Sequence, residues 1–243
     1  MDHMVNTLCI VQARLTSTRL PNKVLMPLGN CGMTLLEHVY LRLKQAQCID
    51  EVVFAIPGTE ANEPLKKFLQ EKHIPVYVEY GDENNVLLRF YNCAIQYNPT
   101  YVFRATCDDP FFDWKYAEHL YAHRDEFDYA STDNAPLGIA LELFTMDALT
   151  DAYNNATSES DLEHVTRYLY THPEKFRIGD IPYYLDVPNY RLTVDTEEDY
   201  QFASVIYKKL DNGTLFSNEQ VYEYLKTHPE VLSINANIKQ KTV

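Results

Sequence analysis

The feature that most constrains the fold is a regular alternation of short apolar runs with longer segments in which apolar residues recur every three or four positions. A short apolar run bounded by polar residues is typical of a buried strand, and the longer spacing is typical of an amphipathic helix. Strands that alternate with helices predict an α/β fold with a mainly parallel sheet. In the first half of the chain, strands are predicted at 8–11, 51–56, 76–79 and 101–105, with helices at 35–46, 63–72 and 86–97.

The second half of the chain keeps the alternation less strictly, so we expect a mixed sheet. Ser160 followed by Glu163 has the spacing of a helix-capping box, which predicts a helix over 160–170. Further helices are predicted at 114–124, 146–154, 197–210 and 218–225, and extended segments at 141–144 and 191–194.

The composition restricts the class of protein. The 243 residues, 46% of them apolar, are enough for a single domain over 1–243, and one interpretation of the three residues before Met4 is a cloning remnant. A formal net charge of −14 argues against nucleic acid or an anionic membrane as a partner, because both need a broad basic surface. The lack of a long apolar run and of a basic, apolar leader predicts a cytoplasmic protein. The five cysteines, without a CxxC pair, are predicted to be free thiols.

A basic loop, residues 12–23, follows the first predicted strand. It has the sequence QARLTSTRLPNK, and open α/β sheets bind their ligands at the edge where such a loop begins. Guanidinium groups match phosphate oxygens in pairs, lysine adds a point charge, and the N–H groups of a tight loop complete a phosphate site. The alternative is a solvated surface loop in which basic residues cluster by chance. The nucleotide-binding residues predicted here are Gln12, Ala13, Arg14, Ser17, Thr18, Arg19 and Lys23, of which the three cations are also predicted to act in catalysis.

Aspartates stand at the ends of two later predicted strands. Asp108 and Asp109 follow the strand at 101–105, and Asp195 ends the segment at 191–194. Mg²⁺ usually takes one or two protein carboxylates together with phosphate oxygens and water. We expect Asp108, as a catalytic residue, and Asp195 to bind Mg²⁺, because carboxylates beside a triphosphate would repel it without a metal ion. The alternative for Asp108 and Asp109 is a turn or a cap of the helix that follows, and for Asp195 a cap of the helix that begins at Glu197.

Sequence motifs spread over nearly the whole chain are similar to those of one enzyme family. The opening QARLTSTRLPNKVL and LEHV is followed in order by GDENNVLLRFY, RATCDDP, EHVTRY, HPEKFRIG and LTVDTEEDY. With these motifs the chain resembles the CMP-sugar-acid cytidylyltransferases, of the acylneuraminate and KDO cytidylyltransferase type, and among them the branch called spore coat polysaccharide biosynthesis protein F. The resemblance implies a three-layer α/β/α nucleotide-diphospho-sugar transferase fold, like that of GT-A enzymes, usually as a dimer. It also implies that the first loop grips the nucleotide phosphates and that Asp108 and Asp195 match metal-binding aspartates.

The same resemblance suggests contacts for the rest of the substrates. Asp82, Asn85 and Arg89 match a region near the nucleoside; Asp82 and Asn85 are predicted to bind the nucleotide, although a helix cap at 82–85 explains them equally well. Independently of the resemblance, Arg104 lies in the predicted strand at 101–105 and is predicted to bind the nucleotide; because an arginine is rarely buried without a partner, a salt bridge to an aspartate of the metal site is favoured over a contact with a ligand phosphate or carboxylate. Glu142 and His164 are predicted to bind the acceptor, with a dimer contact or a capping role favoured for His164.

Together these features predict a magnesium-dependent cytidylyltransferase. Such an enzyme joins CMP from CTP, or the matching part of another NTP, to a small acidic or sugar-like acceptor and releases pyrophosphate. The expected setting is surface polysaccharide or related cell-envelope biosynthesis, and the expected assembly is a homodimer. Three departures from the family pattern leave the acceptor open: Cys107 in place of glycine, Ala140 in place of aspartate, and a short segment at 131–138. The alternatives are a GT-A type glycosyltransferase and a nucleotide-binding scaffold subunit with weakened catalysis.

Overall fold

The computed structural model describes residues 5–131, 135–182 and 189–240. The three residues before Met4 lie outside these ranges, as does part of the segment at 131–138. All five cysteines lie inside them and are free thiols, as predicted. None of the described helices combines the length and the apolar character needed to span a membrane.

One mixed sheet runs through the described structure. Its strands are β1 (Thr7–Gln12), β2 (Glu51–Pro57), β3 (Val76–Glu79), β4 (Tyr101–Thr106), β5 (Tyr129–Ser131), β6 (Glu142–Thr145) and β7 (Ile178–Asp180). They are ordered β3-β2-β1-β4-β6-β5-β7. Strands β1 to β4 pair in parallel, β6 is antiparallel to β4 and β5, and β7 is parallel to β5. The predicted mixed and mainly parallel sheet is therefore confirmed.

Helices connect the strands along the chain. They are α1 (Leu35–Leu43), α2 (Glu63–Glu71), α3 (Val86–Tyr97), α4 (Trp114–Ala122), α5 (Met146–Asn155), α6 (Glu159–His164), α7 (Arg167–Tyr170), α8 (Glu197–Leu210) and α9 (Asn218–Thr227). Short 3₁₀ helices occur at Lys23–Leu25, Glu60–Asn62, Arg124–Glu126 and Pro229–Ile234.

The helices form a layer on each face of the sheet. Alternate residues of a strand point to opposite faces, so each face has apolar side chains that a layer of helices covers. Cys9 and Val11 of β1 belong to a core that includes residues of α1, α2, α4, α8 and α9. Leu8 and Ile10 belong to a second core, with residues of α3, α5 and α7. A strand buried on both faces has a continuous apolar sequence. This is why β1 and β2, whose residues are almost all buried, could be located from the sequence.

The extended segment predicted at 191–194 is not a strand of the sheet. Arg191 forms an isolated bridge with Leu137, and the backbone N–H of Val194 donates to the carbonyl oxygen of Asp108 at 2.8 Å. The strand prediction is therefore wrong, because these few hydrogen bonds go to loops. They nevertheless place the end of the segment beside the end of β4.

The helix predicted at 160–170 is two helices, α6 and α7. The N-cap is Ser158, whose Oγ accepts a hydrogen bond from the backbone N–H of Asp161 at 3.1 Å, so the capping box predicted at Ser160 is wrong. Val165 separates the two helices with a φ of 51°. A β-branched residue rarely adopts this left-handed conformation, and a continuous helix cannot pass through it.

Candidate active site

A cavity of about 520 Å³ lies at the carboxyl ends of β1 and β4. These strands are parallel neighbours, and their last residues, Gln12 and Thr106, are paired. The chain winds from β1 to β3 on one side of β1 and then crosses to β4 on the other side. Open α/β sheets usually bind ligands in the crevice at such a reversal, outside the carboxyl ends of the strands. The fold therefore places the loops after β1 and β4 where a ligand is expected.

Apolar anchors hold the basic loop against the protein. Leu15 and Leu20 are buried, and the backbone N–H of Leu15 donates to Oδ1 of Asn62 at 2.8 Å. Asn22 adopts a left-handed φ of 61°, and its N–H donates to the carbonyl of Leu15 at 3.1 Å, which closes the loop before the 3₁₀ helix. The residues of this loop that were predicted to bind the nucleotide all line the cavity: Gln12, Ala13, Arg14, Ser17, Thr18, Arg19 and Lys23.

The ammonium group of Lys23 lies among three oxygen atoms. Its Nζ donates to Oδ2 of Asp108 at 2.8 Å, to the carbonyl of Val194 at 2.8 Å and to Oδ1 of Asp195 at 3.0 Å. Nη2 of Arg19 lies 3.1 Å from the same Oδ1 of Asp195. The structure thus brings two cations of the basic loop together with both predicted metal-binding aspartates.

These contacts shift the pKa values of the groups involved. Burial lowers the pKa of Lys23, but Asp108 and Asp195 outweigh burial and leave this pKa raised. Burial raises the pKa of Asp108, but Lys23 outweighs burial and leaves it lowered. For Asp109, burial and the charge of Asp108 together raise the pKa to about 7, although the hydroxyl of Thr106 donates to its Oδ2 at 2.6 Å. At neutral pH, Lys23 and Asp108 are therefore both charged.

The oxygen atoms around Lys23 suit a hard divalent cation. Two of them belong to the carboxylates of Asp108 and Asp195 and one to a backbone carbonyl, all within 3.0 Å of one positively charged nitrogen. Oxygen ligands of these kinds are the ones that Mg²⁺ prefers. The donor set therefore fits the predicted metal ion, with the ammonium group standing at a position suited to a cation.

Other residues cap the helices that follow the three aspartates. Thr196 is the N-cap of α8, and its side chain accepts a hydrogen bond from the backbone N–H of Asp199 at 3.3 Å. Asp113 is the N-cap of α4 and accepts from the backbone N–H of Lys115 at 3.1 Å. The helix-cap alternative therefore does not hold for Asp108, Asp109 and Asp195, although Asp108 does lie in a turn after β4.

Arg191 is a residue of the site that the sequence analysis missed. Its Nη2 lies 3.2 Å from Oδ2 of Asp195, and its Nε and Nη2 each donate to Asp199 at 2.8 Å. The guanidinium therefore orients Asp195 through Oδ2, whereas Lys23 contacts Oδ1. A signal was present, since Arg191 stands directly before the last motif and precedes its two acidic residues Asp195 and Asp199 by four and eight positions.

The favoured prediction for Arg104, a salt bridge to an aspartate of the metal site, is wrong. Arg104 Nη1 pairs with Glu142, because the two residues face each other across the antiparallel pair β4 and β6. Glu142 also accepts hydrogen bonds from the hydroxyls of Tyr129 and Thr166, both at 2.7 Å. Arg104 lines the cavity together with His164, whereas Glu142 lies behind Arg104 and is not among the lining residues that the structure describes.

The two predicted nucleoside contacts make local hydrogen bonds. Asn85 is the N-cap of α3 and accepts from the backbone N–H of Leu88 at 3.0 Å, and Asp82 accepts from the backbone N–H of Asn84 at 2.9 Å. Neither is among the described residues that line the cavity, but Asn84 and Arg89 are. The cap was one of the two interpretations left open, and the sequence could not tell which of two adjacent asparagines faces the site.

The chain matches the model of a family described as cytidylyltransferase over residues 8–241. It is 34% identical over 236 residues to the spore coat polysaccharide biosynthesis protein SpsF of Bacillus subtilis, a match that covers 93% of this chain and 97% of that protein.

Solved structures agree with the fold. A cytidylyltransferase from Leptospira borgpetersenii superposes with a TM-score of 0.80 at 24% identity, covering 98% of this chain and 99% of the other. A CMP:2-keto-3-deoxy-manno-octonic acid synthetase in complex with CTP superposes with a TM-score of 0.65 at 15% identity. The match covers 84% of this chain and 99% of the other. The predicted three-layer fold is therefore confirmed.

Proposed function

The chain belongs to the cytidylyltransferase family, and on that premise we propose that it joins CMP from CTP to a small acidic or sugar-like acceptor and releases pyrophosphate. Membership of the family makes it a nucleotidyltransferase. We assign the reaction to a single domain over 1–243, in surface polysaccharide or related cell-envelope biosynthesis. The name of the Bacillus subtilis relative supports this setting.

The observation that carries the proposal is the meeting of cations and carboxylates in one cavity. Lys23 contacts Asp108 and Asp195, and Arg19 contacts Asp195, at 2.8 to 3.1 Å, at the end of the sheet where nucleotides usually bind. A nucleoside triphosphate needs cations for its phosphates, and an associated metal ion needs carboxylates. A site with both sets of groups suits a metal-bound triphosphate.

In this proposal the basic loop binds the triphosphate and stabilises the leaving group. Arg14 and Arg19 have partly exposed side chains, 43% and 32% accessible, so both can turn toward a ligand without disturbing the core. Together with Lys23 they neutralise the negative charge that develops on pyrophosphate as it leaves. Holding the acceptor oxygen in line with the α-phosphorus supplies a further part of the rate enhancement.

Asp108 and Asp195 are the residues that would hold Mg²⁺. When bound, this ion would polarise phosphate oxygens and offset their charge. Arg191 keeps the carboxylate of Asp195 oriented, and the hydrogen bond between Val194 and Asp108 keeps the two aspartates adjacent.

We assign the binding of the acceptor and of the nucleobase to the remaining wall of the cavity. Arg104, held by Glu142, presents a charged guanidinium to a phosphate or carboxylate of the substrates, and His164 contacts the acceptor. Asn84 replaces Asn85 as the proposed side chain near the nucleoside. From the family resemblance we also retain the proposals of a homodimer and of a cytoplasmic location.

The test is a measurement of pyrophosphate release from CTP, UTP, ATP and GTP with Mg²⁺ and a panel of sugar acids, amino sugars and phosphorylated acceptors. We expect release with CTP that depends on both the metal ion and an acceptor. Turnover of a nucleotide sugar with release of free nucleotide would instead identify a glycosyltransferase. Tight CTP binding without turnover of any acceptor would identify a scaffold subunit.

A further inference from the structure

Lys23 is held in an unusual environment for a surface-loop lysine. Its side chain is only 8% accessible, and its three hydrogen bonds go to Asp108, Asp195 and the carbonyl of Val194. An ammonium group has three protons to donate, so these partners use all of them. The same oxygen atoms are the donor set assigned above to a divalent cation.

The charges of this arrangement balance without a metal ion. Asp108 and Asp195 carry two negative charges, and Lys23 and Arg19 supply two positive charges at 3.1 Å or less. A divalent cation brings the same charge as these two side chains. It cannot reach the two carboxylates while Lys23 remains between them, because it would meet a like charge at contact distance and find the oxygen atoms already engaged.

A ligand for the two cations would remove this block. Lys23 and Arg19 both line the cavity, so each can rotate its terminal group toward a bound anion without unfolding the 3₁₀ helix at Lys23–Leu25. Phosphate oxygens are strong acceptors for both groups. Their departure would leave Asp108 without its cationic partner and Asp195 with Arg191 alone, a cation that it shares with Asp199, which favours metal binding.

We propose that Lys23 occupies the metal position in the nucleotide-free protein, so that the divalent cation binds with the triphosphate and not before it. The role of the triphosphate rests on the proposed function. The blocking of the metal position by Lys23 concerns the nucleotide-free protein alone, and it can be tested without any substrate.

The experiment measures Mn²⁺ binding to the full-length, nucleotide-free protein by electron paramagnetic resonance of free Mn²⁺. The proteins are the wild type, Lys23→Gln, Lys23→Met and a matched control, Lys67→Met, which removes the charge of an exposed lysine on α2. We expect both Lys23 variants to bind Mn²⁺ at least about tenfold more tightly than the wild type, corresponding to about 1.4 kcal/mol. The control should bind like the wild type.

The same Mn²⁺ affinity in the wild type and in folded Lys23 variants would overturn the proposal, as would tight binding to the nucleotide-free wild type. Circular dichroism verifies that the variants are folded.

Acetylation of Lys23 in the wild type, followed by mass spectrometry, gives a second test that needs no variant. Millimolar Mn²⁺ without nucleotide should leave Lys23 as protected from acetylation as it is in the absence of metal. A rise in its acetylation would show that the metal ion displaces Lys23 without a triphosphate and would overturn the proposal. Failure of pyrophosphate release would refute the proposed function without changing either result.

Discussion

Replacing Asp108 by asparagine should remove one of the two carboxylates assigned to the metal ion while leaving the protein folded. Lys23 keeps its hydrogen bonds to Asp195 and to the carbonyl of Val194, so the buried ammonium group is not left without partners. The side chain of Asp108 is 27% accessible, and we expect the loss of one charged hydrogen bond to lower the free energy of unfolding by about 1 to 2 kcal/mol.

The effect on catalysis should be much larger than the effect on stability. Charge stabilisation by a bound metal ion supplies several kcal/mol in the transition state, and each 1.36 kcal/mol is a factor of ten in rate. A loss of roughly 4 kcal/mol predicts a turnover about 10³-fold below that of the wild type.

The assay is continuous pyrophosphate release at saturating CTP and Mg²⁺, with thermal unfolding measured on the same samples. Asp147→Asn is the matched control, because Asp147 is an exposed aspartate in the first turn of α5. It should keep the activity of the wild type. If Asp108→Asn retained more than about a tenth of the wild-type turnover, the loss would be under about 1.4 kcal/mol and the metal assignment would be wrong.

Three further predictions address other parts of the site. Arg19→Ala should raise the KM for CTP by about 10-fold to 100-fold with a smaller change in kcat, since a charged hydrogen bond contributes about 1.5 to 3 kcal/mol; steady-state kinetics with an unchanged KM would contradict this. Glu142→Gln should lower the free energy of unfolding by about 3 kcal/mol at neutral pH, because Arg104 loses its buried counter-charge. Burial raises the pKa of Glu142, but Arg104 outweighs burial and leaves it below the ordinary value of 4.5, so this stabilisation is present above that value and is lost as the pH falls. The difference in Tm between the wild type and Glu142→Gln should therefore shrink from about pH 6 to about pH 3, and a constant difference would contradict the assignment. Gly138→Ala should lower both Tm and activity, because Gly138 has a φ of 95° and an added Cβ would lie 2.5 Å from the backbone nitrogen of Thr193; thermal unfolding unchanged from the wild type would refute this.

Each error in the predicted fold has a physical reason. Strands β5 and β7 have three residues each, too few to show a period of two, and they were missed. The segment at 191–194 has the composition of a strand, but its hydrogen-bond partners lie in loops. The helical pattern continues across Val165, and the break there is accompanied by a hydrogen bond from the hydroxyl of Thr166 to Glu142, 24 positions away.

Some functional residues could be predicted by type, although their partners could not. The cations of the basic loop stood out because a strongly acidic chain has three basic residues at the end of one strand. The aspartates after β4 stood out because carboxylates beside a triphosphate need a metal ion. The pairing of Arg104 with Glu142 depends on which residues face each other across β4 and β6, and that register is not visible in either segment alone. The supporting position of Arg191 behind Asp195 depends in the same way on how the chain folds back.

The sequence by itself determined the layered α/β architecture, the four parallel strands and the chemical character of the loop after β1, because periodicity and residue type are local properties. Only the tertiary structure decided that Lys23 lies between Asp108 and Asp195, which are 85 and 172 positions away along the chain. That contact depends on the reversal of winding between β1 and β4 and on the hydrogen bond that joins Val194 to Asp108. Contacts of this kind arise from the packing of distant segments, and no local pattern of residues encodes them.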